Sequence, residues 1–296
     1  MDPRQPFGRP IPAVRDLPLS GANQMTLAFD PHVFGSAALT WVSLLTLAGI
    51  ALTVGLLLRG ADRIPAPRSA VYAVALRSVL WGLLGARLLH VVDYATLYAD
   101  APLSVLYLWS GGLSLWGGVL GASAGGLWHA RRRGIALGRF ADGAAVAGLW
   151  GLALGRLGDL LVGERPAAAT SLPWGIEYAH PDAAAYADGA AVHPVALYEG
   201  LWDLGVLGLL WALRTGRLGR LTQRLGRLAR GVLPEGAAFA AAIGAWAAGR
   251  FVIGFARIDP SLLGLQQAQW IALAVLVGVA YYAWREWRRL VLSRRS

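Results

Sequence analysis

Four arginines stand inside long apolar runs of this sequence: Arg77, Arg87, Arg156 and Arg250. An ionised side chain at the centre of a membrane helix costs on the order of 3 kcal/mol on insertion scales, so each needs a counter-charge or a wet cavity. Arg77 lies near the end of its run and can snorkel to the interface. With the orientation derived below, the other three fall in the outer third of their helices, at one depth. Asp93, Asp159, Glu164 and Glu199 fall at the same level, with His90, His193 and Tyr198 beside them. Three cations at one level repel one another unless carboxylates or a bound anion sit among them. The planar guanidinium fork donates two parallel hydrogen bonds and suits phosphate. The expected chemistry is therefore recognition of a lipid phosphate. Buried arginine–carboxylate pairs that only tie helices together are the structural alternative.

The elements that must position these side chains are membrane helices. Of 296 residues, 56% are hydrophobic and only 15% charged, where a soluble chain carries about a quarter charged. Several apolar stretches exceed the roughly 18 residues that a spanning helix needs. The pattern predicts an all-α integral membrane protein, a bundle of about seven transmembrane helices at 33–58, 70–92, 113–130, 141–162, 193–213, 236–255 and 266–287. Residues 1–32, rich in Pro and Arg, read as a flexible tail. The first apolar run lacks a small-residue cleavage pattern and reads as an anchor. The expected organisation is a single domain, 33–287, with an outer insert 163–192, a basic loop 214–235 and a basic tail 288–296. Cysteine is absent, which excludes disulfides, cysteine-ligated metals and a cysteine nucleophile of the chain's own. No metal site is expected.

The formal net charge of +10 has to be tested against topology before it suggests nucleic acid. All the basic residues are arginine. Eighteen fall in alternate loops and the C-terminal end, and five on the opposite side: Arg4, Arg9, Arg15, Arg165 and Arg257. The positive-inside rule then puts the N-terminus outside and the C-terminus in the cytoplasm. The basicity is topology, and no nucleic acid is expected. In loop 214–235 the arginines recur every three or four positions beside Leu218, Leu221, Leu225 and Leu228. On a helix this makes a basic and an apolar stripe suited to anionic membrane lipid; a solvated basic loop is the alternative. Gly117, Gly118 and Gly121, and Gly151, Gly155 and Gly158, are spaced for close helix approach in lipid.

Five blocks in order then resemble the prolipoprotein diacylglyceryl transferase family. Residues 155–164, GRLGDLLVGE, are similar to its signature GRIGNFINGE, and 85–94, GARLLHVVDY, to its second-helix arginine segment. Residues 109–118, WSGGLSLWGG, resemble WDGGLSFHGG; 193–199, HPVALYE, resemble HPTQLYE; 250–260, RFVIGFARIDP, resemble RFxxEFFRxPD. The resemblance implies a multi-pass protein of the bacterial plasma membrane with its site facing the outer leaflet. There the lipobox Cys of a prolipoprotein attacks a glyceryl carbon of phosphatidylglycerol, forming a thioether and releasing glycerol phosphate. No cofactor is implied, and the missing cysteine fits, because the nucleophile belongs to the substrate.

By resemblance, Arg156 and Arg250 hold the lipid phosphate, where they would stabilise charge developing on the leaving group. Arg87, Glu164, His193, Tyr198 and Glu199 also match their motifs. The expected catalytic residues are Arg156, Arg250, Asp159, Glu164 and His193. The expected substrate contacts are Arg87, Arg156, Arg250, Trp116, Tyr198 and Glu199. Four positions depart from the family pattern: its His is Trp116 here, its Asn is Asp159, its first-helix Tyr is Val42, and a Glu is Gly254. A thiol of pKa about 8.5 needs help to ionise at neutral pH, and an indole cannot accept its proton. Asp159, Glu164, His193 and His90 remain as bases. The rival reading, favoured by Trp116, Val42 and Gly254, is a silent relative that binds phosphatidylglycerol or lipoprotein precursors. A transporter is disfavoured, because the inner halves of the spans carry few charges beyond Arg77, Asp142 and Asp203.

Overall fold

The structure is a computed structural model that describes residues 25–35, 39–99, 101–107, 112–183, 185, 189–214 and 234–292. Its helices are α1 (Trp41–Arg59), α2 (Arg68–Asp93), the short α3 (Ala95–Ala99), α4 (Leu115–Arg132), α5 (Leu137–Val162), α6 (Val195–Arg214), α7 (Ala237–Ile253) and α8 (Gln267–Leu292). Each of the seven expected spans coincides with a long helix. Six are long and apolar enough to cross a membrane. The other, α4, has 18 residues and is diluted by Gly, Ala and Ser, so its hydropathy is lower. The protein is an all-α integral membrane protein. The bulk of the expected tail 1–32, nearly all of loop 214–235 and the last residues of the basic tail lie outside the described residues.

Local chemistry sets the helix ends. Thr40 caps α1: its hydroxyl accepts the Ser43 N–H at 3.2 Å and the Ser43 hydroxyl accepts the Thr40 N–H at 3.0 Å, a reciprocal box. Asp142 on α5 accepts the N–H groups of Gly236 and Phe239 at 3.0 and 2.8 Å, so one helix caps the first turn of α7. Gly163 ends α5 with φ +60°, a left-handed conformation that a side chain would strain.

Packing centres on α5, which touches α1, α4, α6 and α7, while α2 lies along α4 and α7 along α8. Two crossings depend on bare backbone. A Cβ on Gly49 of α1 would meet the carbonyl of Gly151 on α5, and one on Gly85 of α2 would meet the carbonyl of Gly117 on α4. Gly121 and Gly158 also sit in tight contacts, whereas Gly155 does not. One core cluster fills the space between α1, α2, α4 and α5 around Val71, Val74 and Phe140. A second joins α4 to α8 around Trp116, Leu149, Leu210 and Trp246. Large apolar side chains such as Leu47, Leu80, Trp211 and Val277 point outward, as lipid-facing surface does.

Segment 163–193 folds over one end of the bundle. Strand β1 (Met25–Leu27) pairs in parallel with β2 (Ile176–Tyr178), and a short hairpin, β3 (Ser261–Leu262) with β4 (Leu265–Gln266), joins α7 to α8. Beneath the fold-over lies a third cluster of Ile176, Tyr178, Val192 and Val195.

Two glycines of α1 separate packing from propensity. Gly49→Ala should cost about 1–3 kcal/mol by forcing α1 from α5. Gly55→Ala, with nothing within 4 Å of the new methyl, should hold stability or raise it by up to about 1 kcal/mol. Thermal unfolding in detergent reads both, and equal effects would remove the close-approach argument.

Candidate active site

Residues of three sequence blocks, 155–164, 193–199 and 250–260, meet under the fold-over. Arg156 and Asp159 come from the last two turns of α5, Glu199 from the second turn of α6 and Arg250 from the last turn of α7. Three residues separate Arg156 from Asp159, so both project from one face, and Arg156 Nη1 donates to Asp159 Oδ2 at 2.8 Å. The same nitrogen lies 2.8 Å from Glu199 Oε2. Arg250 Nη1 donates to Glu199 Oε1, and Arg257 Nη1 stands 3.6 Å from that oxygen. Glu199, 4% exposed, thus bridges three guanidiniums.

Arg257 is carried by the short turn Gly254–Ala256 that follows α7. Its Nε donates to Asp259 at 2.8 Å, its carbonyl accepts the Gln266 side-chain amide at 2.9 Å, and it bridges to Ala167 of the fold-over. His193 is set by its N–H, which donates to the Ala168 carbonyl at 2.9 Å just before α6 begins. Desolvation holds its imidazole below the usual range, which favours the neutral ring. Its Nδ1 lies 3.2 Å from the Tyr198 hydroxyl, which also accepts the Trp174 indole N–H at 2.8 Å. Tyr178 donates its hydroxyl to the Leu160 carbonyl at 2.9 Å. Burial, with the charge of Asp159, pushes that phenol up to about 12, so it stays protonated.

A small cavity opens among these groups, lined by Asp159, Glu164, Arg165, Tyr178, His193, Glu199 and Arg257. Arg156 Nε and Nη2 and Arg250 Nε are buried and have no hydrogen-bond partner among the described residues. A buried guanidinium donor without an acceptor costs on the order of 1–3 kcal/mol or more. The arrangement is short of acceptors, and an oxyanion with several lone pairs would supply them.

Of the residues expected at the site, Arg156, Asp159, Glu164, His193 and Glu199 gather at or beside this cavity, with Arg250 behind Glu199 and Tyr198 behind His193. Two stand elsewhere. Arg87 donates to the carbonyls of Val105, Ser104, Tyr107 and Gly112 at 2.6–3.2 Å and lies over the Tyr98 ring. It fastens the segment after α3 to α2. Trp116, 2% exposed, packs on Trp246 with ring centroids 4.5 Å apart, inside the second core cluster. Arg257, Arg165 and Tyr178 were not singled out for the site from sequence. Arg257 falls on the second arginine of the RFVIGFARIDP block, and that match was the available signal.

The fold and this cluster define a multi-pass membrane protein with buried arginine–carboxylate pairs. Residues 31–285 match the prolipoprotein diacylglyceryl transferase family. Phosphatidylglycerol–prolipoprotein diacylglyceryl transferases 1 and 2 of Streptomyces coelicolor are 34% identical over 232 residues and 36% over 213. These alignments cover 75% and 69% of this chain, and 60% and 62% of the relatives. The chain thus spans about 60% of the length of those relatives. The corresponding protein of Clostridioides difficile is 29% identical over 239 residues, 80% of this chain and 87% of its own. The chain belongs to the prolipoprotein diacylglyceryl transferase family. At Gly254, where the family pattern carries Glu, a Cβ would lie 3.0 Å from Gln269 Cγ; the buried Gln269 fills that space.

Replacing Arg87 with Lys should give up several carbonyl bonds at once, because an ammonium has no planar fork. Stability should fall by about 2 kcal/mol or more, with residues 101–107 becoming open to protease. Lipid headgroup affinity should be unchanged; a loss there would put Arg87 in the binding site.

Proposed function

We propose that this chain transfers the diacylglyceryl group of phosphatidylglycerol to the lipobox Cys thiol of bacterial prolipoproteins, releasing glycerol phosphate. The observation that carries this reading is the set of buried, partnerless donors on Arg156 and Arg250. A phosphodiester offers two non-bridging oxygens and accepts from two guanidiniums at once. Thiolate sulfur attacks the glyceryl carbon, the carbon–oxygen bond breaks, and its electron pair stays on the phosphate oxygen. Arg156 and Arg250 stabilise the charge that develops there, and Arg257 stands beside them. The relatives in Streptomyces coelicolor and Clostridioides difficile are named for the same two substrates.

The site is read as facing the outer leaflet of the bacterial plasma membrane, with the N-terminus outside and the C-terminus in the cytoplasm. The eighteen-to-five division of arginines supports this orientation. The same orientation makes 163–192 the extracytoplasmic insert of a single transmembrane domain, 33–287.

The test is in-vitro transfer of labelled diacylglyceryl from phosphatidylglycerol to a lipobox peptide. Arg156→Lys and Arg250→Lys should each weaken phosphatidylglycerol binding about tenfold to a hundredfold, and transfer should fall with it, because lysine keeps the charge but loses the bidentate fork. Arg77→Lys, whose guanidinium donates to the Ala73 carbonyl on its own helix, should change little. Unchanged affinity in both site variants would leave the arginines as structural ion pairs.

A further inference from the structure

Transfer also requires a group that takes the proton of the acceptor thiol. We propose that His193 is that base, and that Tyr198 and Trp174 are positioning residues that hold its Nδ1 and leave Nε2 free to accept. This rests on the transferase reading above.

The acid–base groups lining the cavity are Asp159, Glu164, Glu199 and His193. Both oxygens of Glu199 and Oδ2 of Asp159 are taken by guanidiniums. Nothing orients Glu164, whose side chain has no hydrogen bond or ion pair among the described residues. His90 stands apart, against the rings of Tyr94 and Tyr98. An imidazole near pKa 6.5 lies about two units below a thiol near 8.5, and a glutamate about four. Desolvation narrows that gap by raising Glu164 and lowering His193. Only His193 is held by a relay of hydrogen bonds.

The pairing of Ile176 with Val192 builds that relay. It brings Trp174, two residues before Ile176, beside His193, which follows Val192. The first turn of α6 then adds Tyr198. An indole N–H can only donate, so at 2.8 Å Trp174 occupies one lone pair of the Tyr198 oxygen. The second is left for His193 Nδ1, 3.2 Å away. With Nδ1–H donating there, Nε2 is an acceptor, and it has no partner among the described residues. When Nε2 takes a proton the Nδ1 bond is kept, so the ring need not turn. A base oriented by a third group is the general arrangement for activating a nucleophile.

The groups facing the ring across the cavity are Asp159 of α5, Glu164, Arg165 and the protonated Tyr178 of the fold-over, Arg257 beyond α7 and Glu199 of α6. Their signs are mixed, and desolvation leaves the imidazole neutral at pH 7. The S–H proton passes to Nε2, sulfur bonds to the glyceryl carbon, and the carbon–oxygen bond breaks with its electron pair on the phosphate oxygen. His193 then passes its proton to the leaving monoester, which carries one more negative charge than the lipid did.

Full-length protein in phosphatidylcholine nanodiscs supplies two readouts. With histidine labelled in 15N, the His193 resonances, assigned by their loss in His193→Gln, should show a protonated Nδ1 and a bare Nε2 above pH 7. A proton on Nε2 instead would overturn the proposal. Transfer to a lipobox peptide at pH 7 should fall about a hundredfold in His193→Gln, with the affinity for titrated phosphatidylglycerol unchanged. It should recover as pH rises toward 9, where solvent ionises the peptide thiol. In the wild type, transfer should fall as pH drops through the His193 pKa, which lies below the usual range. Tyr198→Phe keeps the imidazole but removes the acceptor that steadies its charged form. Its kcat should fall about tenfold, as expected for one lost hydrogen bond, with KM for the lipid unchanged and the acid limb moved to lower pH. Trp174→Phe should lower kcat less, again at constant KM. A His193→Gln defect independent of pH, or an unmoved acid limb in Tyr198→Phe, would make the relay structural and overturn the proposal. Should His193→Gln fail to fold, Tyr198→Phe carries the test alone. Wild-type protein with the expected tautomer that transfers nothing would instead fail the transferase reading itself.

Discussion

The outer end of this bundle depends on one buried carboxylate shared by three arginines. Glu199 comes from α6, Arg156 from α5, Arg250 from α7 and Arg257 from the turn beyond it. Pairing them fixes the relative height of three helices. It also ties the fold-over to the bundle, since Arg257 bridges to Ala167. With Asp159 and Asp259 included, three cations meet three carboxylates. The charge is balanced while the hydrogen bonding is not. Such a site is tolerable when empty, because no net charge is buried. It remains receptive, because donors outnumber the acceptors placed to meet them. Removing one partner of a buried pair usually costs about 3–5 kcal/mol, so loss of any one member should destabilise the whole cluster.

That arrangement requires close helices. Gly200, next to Glu199, faces the stem of Arg156, with a Cβ position 3.5 Å from Arg156 Cβ. A larger side chain there would push α6 from α5 and open the ion pairs. The Gly49–Gly151 approach holds α1 against the far side of α5. In lipid, where apolar surface gains little by leaving its surroundings, such backbone contacts and polar pairs carry much of the association.

The seven helices were legible because a twenty-residue apolar window hardly depends on what it packs against. The Arg156–Asp159 pair was legible for a similar reason, a fixed spacing on one face. Lateral neighbours were not. Arg87 was grouped with Arg156 and Arg250 by depth and by its motif, and neither reveals the loop carbonyls 17 to 25 residues away that take its donors. Arg257 was read as a loop arginine because it falls beyond the apolar run. Only the turn Gly254–Ala256, which folds the chain back toward Ala167, brings it to Glu199. Backbone direction after a helix end is set by tertiary hydrogen bonds, and no periodicity records them.

Trp116 takes its meaning from the same geometry. Trp246 lies four residues before Arg250, one helical turn farther into the bundle, and Trp116 stacks on it edge to face. The indole pair packs with Leu149 and Leu210 of the same cluster, and the buried Asp203 follows Glu199 by one turn of α6.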